Sequence, residues 1–284
     1  MYYRVAIVAL SGIFSLTLTD LIVKVLSPAY TIFHIAFLRY AFGSLACVPL
    51  LIAAKPGLPS GETFMANSLR SILVVVTTVS FFYALSALPF AEAVTLSFAA
   101  PIFIIIFSRF FLKEKVTFKI LTALSFGIVG TIVILGGGIG SQEHDNRALM
   151  GVFAALFSAI TYALNMVLLR QRAKTDSVVT IVTFQNFGPA LILLGPAINS
   201  WSSLTIVSLL LFIILGALGL LSHILLSMAY SQSEAGKLAP IEYTSLMWAA
   251  AFGYVLFGET ISIAVLVGAA LIIGGAIITS WRCA

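Results

Sequence analysis

Charged residues are scarce in this sequence. Only 9% of the 284 residues are Asp, Glu, Lys or Arg, whereas soluble domains typically carry about a quarter. Hydrophobic residues make up 61% of the chain. This composition excludes a water-soluble globule and indicates a protein that lies in a lipid bilayer.

Cysteines and catalytic motifs are also few. The two cysteines, Cys47 and Cys283, suggest neither a disulfide framework nor a CxxC metal site. The sequence has no GxSxG and no HExxH motif, and its histidines, His34, His144 and His223, lie far apart along the chain. There is no ATP-binding motif either. We therefore predict no enzyme activity, no cofactor and no metal site.

Long apolar runs dominate the sequence instead. They are about 20 residues long, the length that an α-helix needs to cross a hydrocarbon core of about 30 Å. The alternating segments of about ten residues that build a membrane barrel are absent. We predict an all-α integral membrane protein of ten transmembrane helices, at 4–26, 30–53, 68–88, 91–112, 118–139, 149–169, 177–197, 205–230, 236–257 and 261–281.

The two halves of the sequence align with each other at one constant offset. A shift of 145 residues places Gly43 on Gly188 and keeps the later spans in register. Each half then holds five predicted spans, and an odd number makes the second half enter the membrane from the opposite face. We predict two inverted five-helix repeats, at 1–140 and 146–284.

The distribution of Lys and Arg predicts the orientation. One face would carry twelve of these residues and the other only Lys24, Arg39 and Arg147. Because positive charge is retained in cytoplasmic loops, both termini are predicted to be cytoplasmic. The net charge of +5 is then an orientation signal and not a nucleic-acid-binding footprint. The twelve are Arg4, Lys55, Arg70, Arg109, Lys113, Lys115, Lys119, Arg170, Arg172, Lys174, Lys237 and Arg282.

Several short motifs accompany the repeat. They are PIEY at 240–243, FGE at 257–259, DLIVK at 20–24, FLR at 37–39, FFYAL at 81–85, LSF at 96–98 and PIF at 101–103. With these motifs the chain resembles, over its whole length, the EamA-like permeases of the drug/metabolite transporter superfamily. The resemblance implies a bacterial inner-membrane carrier that works by alternating access.

This resemblance leaves the substrate open. The branch includes riboflavin and S-adenosylmethionine uptake carriers, and we favour uptake of such a flat heteroaromatic metabolite. The alternative is export of drugs or of amino acids, either aromatic or threonine-like. An intramembrane enzyme or a channel is the other class, which the repeat and two buried charges, Arg39 and Glu242, argue against. The expected partners are a small-molecule substrate, the lipid bilayer and protons as coupling ion; a homodimer stays open.

Charged residues inside the predicted spans point to the site, because a central charge costs about 2.5–3.5 kcal/mol on the mildest insertion scale. Arg39 is predicted either to bind substrate or to hold a permanent partner. Glu242 is the predicted proton-coupling carboxylate, since burial favours the neutral form of a carboxyl group. His223 is a second proton-coupling candidate, with hydrogen-bonded packing as the alternative.

Other polar residues divide between two roles. Asp20 and Lys24 are spaced to share a helix face and pair, so we predict a gate or structural role. Glu114 and Glu259, which align in the repeat, are assigned the same role. The predicted substrate-binding residues, for which helix bridging or packing is the alternative, are Arg39, Tyr83, Phe98, Tyr162, Asn165, Gln185, Tyr243 and Trp248.

Overall fold

A computed structural model describes residues 2–138, 146–258 and six further positions between 263 and 274. Every regular element in this part of the chain is helical. The helices are α1 (Tyr2–Leu26), α2 (Ile32–Ala54), α3 (Gly61–Ala87), α4 (Phe90–Ser97), α5 (Ala100–Phe111), α6 (Phe118–Gly138), α7 (Asn146–Arg172), α8 (Val178–Asn199), α9 (Ile206–Gln232), α10 (Ala235–Leu238), a 3₁₀ helix (Ala239–Tyr243) and α11 (Thr244–Phe257).

Seven helical stretches of the described chain are long and apolar enough to cross a membrane. They are Arg4–Leu26, Ile32–Ala54, Gly61–Ala87, Ala93–Phe111, Asn146–Arg172, Val178–Asn199 and Ile206–Gln232. The all-helical membrane class is thus confirmed, while the count of ten stays a prediction. Most of the tenth span, 261–281, and Glu259 lie outside the described residues.

Two predicted spans are not continuous helices, which corrects the prediction. The fourth, 91–112, is interrupted between α4 and α5, and Pro101 in the first turn of α5 has no N–H to continue the helix. The ninth, 236–257, passes from α10 through a 3₁₀ segment that contains Pro240 into α11. The two interruptions lie 145 residues apart, so both halves break at the same place in the repeat.

Side-chain caps fix where several helices begin. Ser60 Oγ accepts from the backbone N–H of Thr63 at 3.2 Å and starts α3. Thr205 Oγ1 accepts from the N–H of Ser208 at 3.2 Å and starts α9, and Ser208 Oγ accepts from the N–H of Thr205 in return. Ser60 and Thr205 align in the repeat. Equivalent caps therefore start the third helix of each half.

Helix packing also follows the repeat. α3 packs along α7 and α1 packs along α9, while α2 lies against α8 and α9, and α8 in turn against α2 and α3. In the repeat, α1, α2 and α3 align with α7, α8 and α9. The α3–α7 contact therefore corresponds to the α1–α9 contact and the α2–α9 contact to the α3–α8 contact, while the α2–α8 contact is its own counterpart. The core therefore forms between the halves rather than within either one.

The two ends of this shared core differ in charge. At one end the Tyr30 hydroxyl donates to Ser208 Oγ at 2.7 Å. At the opposite, repeat-related end, Asp176 accepts from Arg172 at 2.7 Å and from Asn67 at 2.8 Å. Burial acts to raise the pKa of Asp176, but these hydrogen bonds and the charge of Arg172 outweigh it and hold the pKa below the ordinary value of 3.8.

Close helix crossings depend on glycines that align in the repeat. Gly43 of α2 lies against Gly216 of α9, and a Cβ on Gly216 would meet the backbone N of Gly43 at 2.7 Å. In the related crossing, a Cβ on Gly188 of α8 would overlap Oγ and Cβ of Ser71 in α3. Small residues at such crossings let two helix backbones approach closely.

We predict that Gly188→Ala lowers the free energy of unfolding by about 1–3 kcal/mol, because the added methyl group overpacks the contact with Ser71. Gly195→Ala is the matched control, since nothing lies within 4 Å of a Cβ at Gly195 in the same helix. Thermal unfolding of both variants in detergent micelles measures the difference. Equal midpoints for the two variants would contradict the close crossing.

Candidate substrate cavity

A cavity lies at the centre of the packed helices. Its walls come from α1, α2, α3, α4, α5, α7, α8, α9, the 3₁₀ segment and α11, and its volume is about 140 Å³. It lies beside both helix interruptions, since Ser97 and Phe98 of one and Glu242 and Ser245 of the other line it. A cavity of about 150 Å³ holds one benzene ring in a soluble protein. The present volume therefore suits one aromatic ring.

Glu242 is the acid of the 3₁₀ segment, and two tyrosines hold it. Glu242 Oε1 accepts from the hydroxyl groups of Tyr230 at 3.0 Å and Tyr162 at 3.3 Å. Glu242 is 8% exposed and Tyr230 1% exposed. The cluster joins α7 and α9 to the break in the ninth span, so a change in the charge of Glu242 acts directly on the packing of these three elements of the second half.

Arg39 lies on the cavity wall and is 5% exposed. Its Nη1 donates to the Tyr40 hydroxyl at 2.6 Å, and that hydroxyl is 2.6 Å from Thr78 Oγ1. The guanidinium carbon lies 4.7 Å from the Tyr40 ring centroid and 5.9 Å from that of Phe82. Ring faces attract a cation, so these contacts hold the guanidinium group in place.

Arg70 is a central polar residue that the sequence analysis missed. It was assigned to the cytoplasmic face, yet it is 3% exposed and lies three turns into α3. Its guanidinium group donates to Asn165 Oδ1 at 3.2 Å, Asn67 Oδ1 at 3.1 Å and Gln185 Oε1 at 3.0 Å. The predicted substrate-binding amides Asn165 and Gln185 line the cavity with their carbonyl oxygens held by Arg70.

A sequence signal for Arg70 was available. Ser60 and Thr63 form an N-cap pattern, and Glu62 is an acid in the first turn, which together predict a helix start at Gly61. The predicted span starts at residue 68, which places Arg70 at the helix end instead. A start at Gly61 places Arg70 inside the helix, which leaves eleven Lys and Arg residues on the predicted cytoplasmic face.

Asp20 and His223 also line the cavity. No hydrogen bond or ion pair reaches the Asp20 carboxylate from the residues that the structure describes. The Nδ1 atom of His223 has no partner within the same residues. Asp20 thus presents its carboxylate to the cavity, whereas Nδ1 of His223 is enclosed.

Lys24 and Arg170, which lie one residue out of register in the repeat, make similar contacts at opposite ends of the molecule. Lys24 Nζ donates to the backbone oxygens of Leu85 at 2.7 Å and Leu88 at 2.5 Å, at the end of α3. Arg170 Nη1 donates to the backbone oxygens of Tyr230 at 2.7 Å and Ser231 at 3.1 Å, at the end of α9. Cations stabilise such helix ends, whose last carbonyl groups lack intrahelical partners.

Glu114 belongs to the second of these ends. It pairs with Arg170 Nε at 3.3 Å and accepts from the N–H of Gly236 in α10 at 3.5 Å. The contact links the segment after α5 to α7 and to the broken ninth span. This location is compatible with the predicted gate or structural role of Glu114, which stays a prediction together with that of Lys24.

The predicted aromatic residues fall into two groups. Phe98 and Tyr162 line the cavity. Tyr243, which aligns with Phe98 in the repeat, contacts it at a centroid distance of 5.4 Å. The described wall includes neither Tyr83, whose hydroxyl lies 3.8 Å from Met150 Sδ, nor Trp248, which packs edge-on against Phe14 at 4.8 Å.

These features define a class of protein: a multi-pass membrane protein with a central, mostly apolar cavity that carries a few charged side chains and lies between two halves of similar sequence. The sequence profile of the EamA-like transporter family matches the chain twice, over residues 4–136 and 149–281. The chain therefore belongs to this family of the drug/metabolite transporter superfamily and is a membrane transporter. The two matches start 145 residues apart, the offset of the repeat.

Individual relatives carry different substrate names. The chain is 27% identical over 265 residues to an S-adenosylmethionine uptake transporter of Rickettsia bellii, covering 93% of this chain and 89% of the relative. It is 28% identical to a riboflavin transporter of Brucella anthropi, covering 86% of each, and 25% identical to a pseudopaline exporter of Pseudomonas aeruginosa, covering 94% and 92%.

A solved crystal structure shares the fold. It covers 98% of each chain with a TM-score of 0.77 at 19% sequence identity.

We predict that Arg70→Gln destabilises the protein by several kcal/mol, because each buried oxygen left without a donor costs about 1–3 kcal/mol. Arg70→Lys should recover part of this loss, since an ammonium group donates three hydrogen bonds but lacks the planar fork of guanidinium. Arg109→Gln, at the exposed end of α5, is the control. Thermal unfolding in detergent measures the relative stabilities of the three variants. Equal unfolding midpoints for Arg70→Gln and Arg109→Gln would exclude the Arg70 hydrogen bonds as a stabilising element.

Proposed function

We propose that this protein is a secondary active carrier of the bacterial inner membrane that takes up a small metabolite with a flat heteroaromatic group. The observation that carries the proposal is the central cavity, where aromatic rings of Phe81, Phe82 and Phe98 meet the charged residues Arg39 and Glu242. Rings bind a planar group by stacking, and buried charges in a membrane mark substrate or ion pathways. S-adenosylmethionine is the favoured substrate, because several relatives are named for its uptake.

The two helix interruptions support alternating access. Inverted-repeat transporters bind substrate where broken helices meet, and they switch access by moving one bundle against the other. Phe98 and Tyr243, which align in the repeat, meet beside the cavity. Because a nucleoside-sized solute exceeds about 140 Å³, these helices have to move when it enters.

Export is the second candidate function. It is favoured by the similarity to a pseudopaline exporter over 94% of this chain. The direction of a secondary carrier follows the gradient to which it is coupled, so one site serves either function.

Uptake into proteoliposomes tests the substrate class. The panel consists of labelled S-adenosylmethionine, riboflavin, an aromatic amino acid and threonine, each with and without an imposed proton gradient. We expect saturable, gradient-stimulated accumulation of S-adenosylmethionine. Accumulation of an amino acid alone would favour the export alternative, and neither accumulation nor counterflow of any member would contradict the proposed substrate class.

Proton coupling through Glu242 yields a separate prediction. Glu242→Gln should abolish gradient-driven accumulation and leave substrate exchange, because the amide keeps an acceptor for Tyr162 and Tyr230 but carries no exchangeable carboxyl proton. Glu234→Gln is the matched control, since Glu234 contacts Lys237 at 3.1 Å outside the cavity. Accumulation at the wild-type level in Glu242→Gln would remove the proton-coupling role.

A further inference from the structure

We propose that the cavity selects solutes with a zwitterionic amino-acid end, whose ammonium group is bound by Asp20 and whose carboxylate is bound by Arg39. This inference rests on the proposed transport function and defines its substrate class. It distinguishes a charged amino-acid derivative from an uncharged flavin, a choice that aromatic stacking alone leaves open.

The Asp20 carboxylate is an open acceptor. It lines the cavity, and no donor among the described residues reaches it. Lys24, which shares its helix, is directed to the backbone oxygens of Leu85 and Leu88. A carboxylate in a low-dielectric interior without a bound donor is costly, and an ammonium group of the solute supplies charge and hydrogen bonds together.

Arg39 is an open donor on the same cavity wall. Nη1 donates to the Tyr40 hydroxyl, and Nε is enclosed beside Gly219 with no acceptor among the residues that the structure describes. No acceptor in the described part of the chain reaches Nη2, and this atom keeps accessible surface. Because Tyr40 and Phe82 hold the guanidinium plane, Nη2 is positioned before a ligand arrives.

The charges of Asp20 and Arg39 are not paired with each other. Both side chains line the cavity, yet they form no ion pair within 4 Å. They therefore do not neutralise each other directly. Glu242 is less suited to the ammonium group, because two tyrosine hydroxyls already donate to its Oε1.

The test compares three thioethers that share one adenosine group. S-Adenosylhomocysteine carries both the ammonium and the carboxylate, its decarboxylated form carries only the ammonium, and methylthioadenosine carries neither. Calorimetry on the purified full-length protein in detergent measures each affinity without transport. We expect the wild type to bind S-adenosylhomocysteine about ten- to a hundredfold more tightly than methylthioadenosine, the range of a charge-assisted contact.

Variants then assign each charge to a residue. Arg39→Gln should weaken binding of S-adenosylhomocysteine about tenfold or more and leave the decarboxylated form unchanged. Asp20→Asn should weaken both ammonium-bearing compounds and leave methylthioadenosine unchanged. Thr19→Val, at a buried position of α1 outside the described cavity wall, is an uncharged control that should keep the wild-type order.

Equal wild-type affinities for the three thioethers, or no binding of either ammonium-bearing compound, would overturn the proposal even if the variants fail to fold. Loss of all three ligands in proportion in a folded variant would also overturn it. Zwitterion-selective binding without transport in proteoliposomes would instead contradict the proposed function and leave the zwitterion site standing.

Discussion

The satisfaction of buried polar groups is the constraint on which this structure depends. In an apolar interior an unpaired donor or acceptor is costly, so each buried charge requires partners from neighbouring helices. Arg70 draws oxygens from three amides, and Glu242 draws hydroxyl groups from two tyrosines. The bonds from Arg70 to Asn165 and Gln185 cross between the halves and hold them together, whereas the Glu242 cluster ties three elements of the second half to one another.

The helix interruptions obey the same constraint. A break in a membrane helix frees backbone oxygens, which is tolerated where nearby hydroxyl groups or a cavity satisfy them. Ser97 Oγ donates to the backbone oxygen of Val94 at 2.6 Å, and Ser245 Oγ donates to that of Glu242 at 2.7 Å. The cavity lies between these two sites, which links the irregular backbone to the proposed binding region.

Hydropathy and the repeat were sufficient to predict the helical membrane class, most helix positions and several cavity residues. They did not predict the breaks, because a proline alone does not mark one: Pro49, Pro189 and Pro196 lie inside continuous helices, whereas Pro101 and Pro240 lie beside the breaks. Hydropathy and the repeat also do not determine which side of each helix faces the cavity. Phe82 therefore lines the cavity while its neighbour Tyr83 faces Met150, since successive residues point about 100° apart.

Access to the cavity from both sides of the membrane is the central claim, and cysteine labelling tests it most directly. Ser245→Cys, placed in a chain with Cys47 and Cys283 replaced, introduces a thiol on the cavity wall, and the buried Ser222→Cys is the control. The account predicts that a membrane-impermeant maleimide modifies Cys at 245 from either side, in right-side-out and inverted vesicles, and that substrate changes the ratio. Labelling from one side only, with or without substrate, would contradict alternating access.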